Sequence, residues 1–332
     1  MSQITSEHFR EFDPSSIPAG SKLSHYYHLA TLANGDPLRL AVLVAKGAKP
    51  GKTLVALGGV HGDEYEAPHA IRETFKHIDP SQMQGDFIGV PQCNVPAFLA
   101  GTRTSPIDGL NLARVFPGKV DGTVTERIAY YLGKHVISHA DLLVDLHSSG
   151  TKMNMASLIG YHEGESVLAK QSREAAFAFG MPVLWGHPNI SKGRTLSFAY
   201  ENRIPGLYTE SPGGNWLHLD ESTRYTRGVL NLMRHLNIID GEIEKENPTH
   251  HLIGDGNVDI VPTTSAGGYF IPKVKVLDRV NKGDLIGRVV GLAGETHDMI
   301  CSDSDGVVIM IRATPSVVPG DTVFLVTKEY QG

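Results

Sequence analysis

The chain has 332 residues, of which 41% are hydrophobic and 20% are charged, and this composition excludes intrinsic disorder of the chain as a whole. Thirty Lys and Arg residues against 36 Asp and Glu residues give a formal charge of −6, so no overall cationic character favours nucleic acid or an acidic membrane as a partner. No stretch approaches the ~18 consecutive apolar residues of a membrane span. Two cysteines cannot build a disulfide framework, and the polar amino terminus lacks signal-peptide features, so we expect a cytoplasmic protein.

The first two thirds of the chain alternate short apolar runs with amphipathic stretches. The apolar runs predict strands, and apolar residues at helical spacing predict helices. The predicted strands are 39–45, 53–57, 87–90, 142–146 and 206–209, and the predicted helices are 64–78, 124–136, 166–179 and 222–236. This alternation predicts an α/β domain with a mostly parallel central sheet flanked by helices.

The pattern changes near residue 250. From residue 256 onward, β-branched pairs are separated by Gly, Pro and Asp, and no helical period survives. We therefore predict an α/β domain at residues 1–248 and a small all-β domain at residues 249–332. The second domain looks like a lipoyl- or barrel-sandwich-type β module, but no lysine stands in the hairpin context of a swinging-arm carrier. We expect this module to cover the functional site or to form a homo-oligomer.

The segment from His61 to Glu64 reads His-Gly-Asp-Glu and follows the predicted strand 53–57, at the end of the strand where open α/β sheets place their ligand sites. An imidazole and a carboxylate three residues apart can point at one ion, and these donors suit zinc. Catalytic zinc takes three protein ligands, and His147, which closes another buried strand at 142–146, is the best candidate for the third. One such pair is weak evidence among 16 histidines, and the second strand that ends in Asp-Leu-His strengthens it.

Five segments occur in the order GGVHGDE, NVPAFLAGTR, DGLNLARVFPG, LLVDLHSSG and YTESPGG. Together they resemble the succinylglutamate desuccinylase/aspartoacylase family, which belongs to the zinc carboxypeptidase-like clan. The resemblance covers residues 50–215 closely, and the β tail is similar to the appended domain of that family. It implies a zinc-carboxypeptidase-like mixed, mostly parallel sheet, one Zn²⁺ per chain on His61, Glu64 and His147, and Glu210 as general base and acid. A carboxylate in that place can take a proton from water and pass it to the leaving amine.

Arg103, Asn111 and Arg114 form a second group of candidates. Arginines on a Gly/Pro-rich loop can grip a carboxylate or polarise a scissile carbonyl, and the alternative is that they are solvated surface residues. In the family, the arginine that matches Arg103 faces the scissile amide, and an Asn-Arg pair holds the substrate carboxylate. This sequence has Ala113 before Arg114 where Asn is usual, so half of that carboxylate site is missing. Arg114 and Asn111 remain as substrate-binding candidates, with a structural role as the alternative for Asn111.

Other polar residues favour plainer interpretations. His187 and the pair at 250–251 lack ligand spacing, and we expect them on the surface or in loops. Cys93 lacks a neighbouring His and is expected to be a small buried hydrophobe. Asp63 is expected to shape its turn, and Asp145 lies two residues before His147, from where it can support that imidazole.

The leading hypothesis is a zinc-dependent amidohydrolase that removes an acyl group from a small N-acylated amino acid or diamino acid. In this hypothesis Glu210 moves the proton and Arg103 stabilises the developing oxyanion. A metallocarboxypeptidase or peptide amidase is the alternative enzyme, which an export signal or a complete carboxylate site would favour. The non-enzymatic alternative is a metal-free binding protein derived from a hydrolase that has lost its activity. The presence of all three ligand candidates and of Glu210 argues against it. The sequence leaves the acyl group, the amine and the native metal open.

Overall fold

The computed structural model describes residues 6–8, 12–244, 246–257 and 261–331. The strands of the first two thirds are β1 (Ser6–His8), β2 (Ser21–Thr31), β3 (Pro37–Lys46), β4 (Lys49–Gly58), β5 (Gln84–Val90), β6 (Leu142–Leu146), β7 (Met153–Met155), β8 (Leu158–His162), β9 (Val183–His187) and β10 (Gly206–Glu210). The α-helices are α1 (Glu66–His77), α2 (Val95–Ala100), α3 (Val124–His135), α4 (Val167–Phe179), α5 (Thr195–Glu201) and α6 (Leu219–His235). The remaining strands are β11 (His250–Ile253), β12 (Gly268–Pro272), β13 (Arg279–Val280), β14 (Leu285–Val290), β15 (Thr296–Cys301), β16 (Gly306–Arg312), β17 (Ser316–Val317) and β18 (Phe324–Glu329).

The central sheet is mixed, and its middle strands are parallel. Its order from β1 to β11 is β1-β2-β3-β5-β4-β6-β10-β8-β9-β11. Strand β6 lies between β4 and β10 and is parallel to both. Because the three strands run in the same direction, their carboxyl ends meet at one edge of the sheet, where α/β folds bind ligands.

Two apolar layers hold the helices against this sheet. On one side, Leu40 and Val55 pack with residues of α3 such as Leu132. On the other side, Leu54 packs with residues of α1, α4 and α6, including Tyr225. All five residues of β6 are buried, as expected for a strand covered on both faces.

The carboxy-terminal part of the chain is all-β, as predicted. Strands β15-β14-β12-β17 form a separate four-stranded antiparallel sheet. Strands β18, β16 and β13 instead continue the central sheet, because β11 pairs with β9 on one side and with β18 on the other. Strand β7 also pairs with β16. The division of the chain into domains at residues 248 and 249 stays a prediction, and hydrogen bonds of β11 cross it.

Each predicted strand and helix falls on an observed one, with ends that differ by a few residues. Strand 142–146 matches β6 at both ends, whereas helix 222–236 begins three residues earlier, at Leu219. In the first two thirds of the chain, strands β1, β2, β7, β8 and β9 had no predicted counterpart. Among the described residues, none of the helices is long and apolar enough to cross a membrane.

Candidate active site

The three residues proposed to bind metal meet at the carboxyl ends of β4 and β6. His61 Nδ1 lies 2.8 Å from Glu64 Oε1, and His147 Nδ1 lies 2.9 Å from Glu64 Oε2. One ligand atom from each residue lies within 4.8 Å of the other two, and all three side chains are buried. Two imidazole nitrogens and a carboxylate oxygen that converge in this way are the donor set of a catalytic zinc site. The residues present therefore fit the metal that the sequence implies.

Neighbouring groups orient both imidazoles from outside this cluster. Asp145 Oδ2 lies 3.1 Å from His147 Nε2 and also accepts a hydrogen bond from the Thr195 hydroxyl. A carboxylate at Nε2 holds the proton there, so Nδ1 presents its lone pair to the metal position. Asn111 Oδ1 lies 3.1 Å from His61 Nε2, and the same oxygen accepts a hydrogen bond from the backbone N–H of Ala113.

Burial and charge shift the pKa values of the cluster in different directions. Burial lowers the pKa of His61 to about 4, and the Arg103 guanidinium adds to that effect. Burial disfavours the charged form of Glu64, but the imidazoles of His61 and His147 outweigh it and bring the pKa of this carboxyl below its ordinary value. A neutral His61 and an ionised Glu64 are the protonation states in which these groups can bind a cation.

Glu210 ends β10, the strand next to β6, and borders the same cavity as His61 and His147. Burial raises the pKa of the Glu210 carboxyl to about 8, and the negative charge of Glu64 adds to the increase. Its Oε2 atom is buried without a hydrogen-bond partner among the described residues. A buried carboxyl that binds a proton near neutral pH and has a free oxygen is suited to proton transfer.

The two arginines predicted to bind substrate also border this cavity. Arg103 donates from Nη1 to Glu64 Oε1 at 3.1 Å, and its side chain is 42% exposed. A guanidinium has five N–H donors, so donors remain for a substrate oxygen. Arg114 donates from Nη1 to the Ala113 carbonyl. Asn111 begins the short 3-10 helix Leu112–Arg114 as its N-cap, which is the structural alternative raised for this residue.

The interpretation of Cys93 holds, whereas the expected surface or loop position is wrong for His187 and for the pair at 250–251, which lies half-buried in β11. Cys93 is fully buried, and Asp63 Oδ2 accepts hydrogen bonds from the Thr151 N–H and hydroxyl, which ties two loops together. His187, expected on the surface or in a loop, is a buried residue of β9 and borders the cavity. Its position follows from the pairing of β9 between β8 and β11, which the spacing of histidines in the sequence does not show.

The carboxy-terminal part of the chain contributes to the cavity as well. Asp255 and Gly256, which follow β11, line it together with Tyr208 of β10 and Arg194. Sequence reasoning missed these four residues, because none belongs to a spacing motif. The cavity measures about 100 Å³, and its lining combines the two proposed histidine ligands with aromatic and charged side chains.

Comparison with known proteins identifies the family. The model of the succinylglutamate desuccinylase/aspartoacylase catalytic domain matches residues 50–236. An N-alpha-acetyl-L-2,4-diaminobutyric acid deacetylase from Halomonas elongata is 30% identical over 282 residues, which cover 84% of this chain and 82% of the relative. The chain belongs to the succinylglutamate desuccinylase/aspartoacylase family.

Solved structures of this family share the fold. A succinylglutamate desuccinylase/aspartoacylase from Rhodobacter sphaeroides superposes with a TM-score of 0.84 at 26% identity, covering 93% of this chain and 96% of that one. The product-bound ectoine utilization protein EutE (DoeB) from Ruegeria pomeroyi gives 0.86 at 28% identity, covering 94% and 98%. Deacetylase, desuccinylase and aspartoacylase are names of amide hydrolases, and this chain is accordingly an amidohydrolase that deacylates small N-acyl compounds.

Proposed function

We propose that the chain is a zinc-dependent deacylase of N-acetylated amino acids, with N-α-acetyl-L-2,4-diaminobutyrate as the first candidate substrate. The observation that carries this proposal is the cluster of His61, Glu64 and His147 beside Glu210, whose Oε2 has no hydrogen-bond partner in the described part of the chain. The named activity of the Halomonas elongata relative supports the choice of substrate.

His61, Glu64 and His147 would hold the metal. When bound there, zinc supplies a Lewis acid that polarises the acyl carbonyl and makes water more acidic. Glu210 takes a proton from the attacking water and returns it to the nitrogen of the leaving amine, for which its raised pKa is suited. Arg103 donates from the cavity mouth to the acyl oxygen as negative charge develops on it.

The amine half of the substrate is expected to contact Arg114. A guanidinium can pair with a carboxylate, while Ala113 has no side-chain donor at the neighbouring position. A cavity of about 100 Å³ suits a small substrate, which favours N-acyl amino acids over polypeptides. These features do not favour the carboxypeptidase alternative.

The test is a hydrolysis screen with purified protein reconstituted with zinc. N-acetyl, N-formyl and N-succinyl amino acids are compared, and release of the free amine is measured by derivatisation. We expect N-α-acetyl-L-2,4-diaminobutyrate to be cleaved with the highest kcat/KM of the set. Hydrolysis of carboxy-terminal peptide bonds together with no cleavage of any N-acyl amino acid would contradict the proposal.

A further inference from the structure

The cavity continues from the metal cluster across β10 to two side chains that the proposed mechanism does not use. Tyr208 lies on β10 two residues before Glu210, so the two side chains point to the same face of the sheet. His187 ends β9, and its ring is stacked on that of Tyr208 with 5.6 Å between centroids. Both residues border the cavity.

The surroundings of His187 determine which of its nitrogens carries the proton. His187 Nδ1 lies 2.8 Å from the carbonyl oxygen of Gly254, and Nε2 lies 2.8 Å from the Tyr208 hydroxyl. A carbonyl can only accept, so Nδ1 must donate to it. Burial lowers the pKa of His187 to about 4, which keeps the ring neutral. A neutral ring with its proton on Nδ1 has an acceptor at Nε2, and flipping the ring would lose both hydrogen bonds.

The direction of the second hydrogen bond follows from the first. Because His187 Nε2 can only accept, the Tyr208 hydroxyl donates its single proton to it. The hydroxyl oxygen then has only lone pairs left for any further partner. A group in the cavity that reaches this oxygen must therefore be a donor, and a carboxylate there would face lone pairs with no proton between them.

The packing around both rings supports this arrangement. Gly160 of β8 pairs directly with Tyr208, and a Cβ added to Gly160 would come within 1.9 Å of the Tyr208 ring. A Cβ added to Gly256 would come within 2.4 Å of the His187 imidazole. Glycine at these two positions lets the rings lie against the backbone of β8 and of the segment after β11. The carboxy-terminal part of the chain thus contributes both the carbonyl that orients His187 and the space for its ring.

We propose that the Tyr208 hydroxyl oxygen is a specificity-determining acceptor that binds an N–H donor on the amine half of the substrate, and that it selects amines with a second amino group. His187 is a positioning residue that acts through Tyr208. This inference rests on the proposed deacylase function for the identity of the substrate, but the direction of the hydrogen bonds does not depend on it.

Besides Glu210, two charged groups lie near this acceptor. Asp255 borders the cavity and places negative charge close to His187, which favours a cationic donor. Arg194 places a positive charge near Tyr208, which disfavours a cationic donor there. Its Nη2 donates a hydrogen bond to Asn257 Oδ1. The hydrogen-bond direction at Tyr208 therefore decides between a donor and an acceptor group, and Asp255 adds to the preference for an ammonium group.

The experiment compares side chains of equal length on the N-acetylated substrate. The set is N-α-acetyl-L-2,4-diaminobutyrate with an ammonium group, N-acetyl-L-norvaline with a methyl group, and N-acetyl-L-aspartate with a carboxylate, and in each the side chain ends at its third heavy atom. We expect Tyr208→Phe to lower kcat/KM for the ammonium substrate by ~10- to 100-fold, the effect of losing a hydrogen bond to a charged group. The value for norvaline should change by less than about threefold. Equal losses on both substrates would overturn the proposal.

Variants of His187 test the positioning role. His187→Gln keeps a donor for the Gly254 carbonyl and an acceptor for the Tyr208 hydroxyl, so we expect it to retain more of the ammonium preference than His187→Phe. An ammonium preference of the same size in both variants would remove His187 from the account. Nitrogen NMR of the unmodified protein provides a check that no folding defect can affect. A proton on His187 Nδ1 supports the proposal, and a proton on Nε2 overturns it.

Calorimetry separates this inference from the proposed function. Binding of L-2,4-diaminobutyrate and of L-norvaline is measured for the unmodified protein and for Tyr208→Phe. Tighter binding of the diamine that disappears in Tyr208→Phe, with no hydrolysis of any N-acyl amino acid, would refute the deacylase proposal and support the acceptor. Hydrolysis with no difference between the two amines would support the deacylase and refute the acceptor.

Discussion

Replacing Asp145 by Asn tests how the protein tunes the proposed metal cluster. Asp145 is 1% exposed, and its Oδ2 lies 3.1 Å from His147 Nε2. The negative charge of Asp145 and that of Glu64 raise the pKa of His147 well above its ordinary value, although burial of the ring acts to lower it. The same interaction makes Nδ1 a stronger donor to a metal. Asn can keep the hydrogen bond through its oxygen, but it removes the charge.

We expect zinc to bind ~10- to 100-fold more weakly to Asp145→Asn, the usual effect of losing a carboxylate that supports a ligating imidazole. This corresponds to about 1.4–2.7 kcal/mol of binding free energy. The measurement is competition for zinc between the purified apo protein and a chromophoric chelator of known affinity. Thr195→Val is the matched control, since it removes the hydroxyl that donates to Asp145 and keeps the carboxylate. Zinc affinity within twofold of the unmodified protein in a folded Asp145→Asn variant would refute the reasoning.

Three further predictions concern catalysis, specificity and stability. Glu210→Gln should keep its zinc and lose at least ~10²-fold in kcat, because it cannot transfer the proton; near-normal turnover would remove Glu210 from the mechanism. Ala113→Asn adds a polar group beside Arg114 and should raise the preference for N-acyl amino acids over their carboxamides by roughly tenfold in kcat/KM. No change would mean that residues 113 and 114 contact a part of the substrate other than its carboxylate. Zinc at about 100 times its Kd should raise the free energy of unfolding by about 2.7 kcal/mol, measured by urea titration with and without chelator. An unchanged midpoint of the unfolding transition would show that zinc does not bind the folded chain more tightly than the unfolded chain.

The sequence predicted the parts of the site that lie at strand ends. His61, His147 and Glu210 each follow or end an apolar run, and three parallel neighbouring strands bring such positions together. Strand type and direction are strongly specified by the buried apolar runs, as in β6. The same reasoning could not assign the hydrogen bond of Asn111 to the Ala113 N–H, which depends on the local turn.

The part of the cavity around His187 and Tyr208 was not predictable in this way. His187, Tyr208 and Gly254 come from three separate strands or their ends, and they meet only because β9 pairs with both β8 and β11. Single residues that meet through long-range pairing leave no local spacing signal. The interpretation of His187 as a surface or loop residue failed for this reason.

The measurement that tests the central claim most directly is the rate of acetate release from N-α-acetyl-L-2,4-diaminobutyrate as zinc is added stepwise to the apo protein. With His61, Glu64 and His147 as one site, the rate should rise linearly and level off at one zinc per chain. His61→Ala should show no such rise at the same zinc concentrations. A rate that is independent of zinc, or full activity in His61→Ala, would contradict the account.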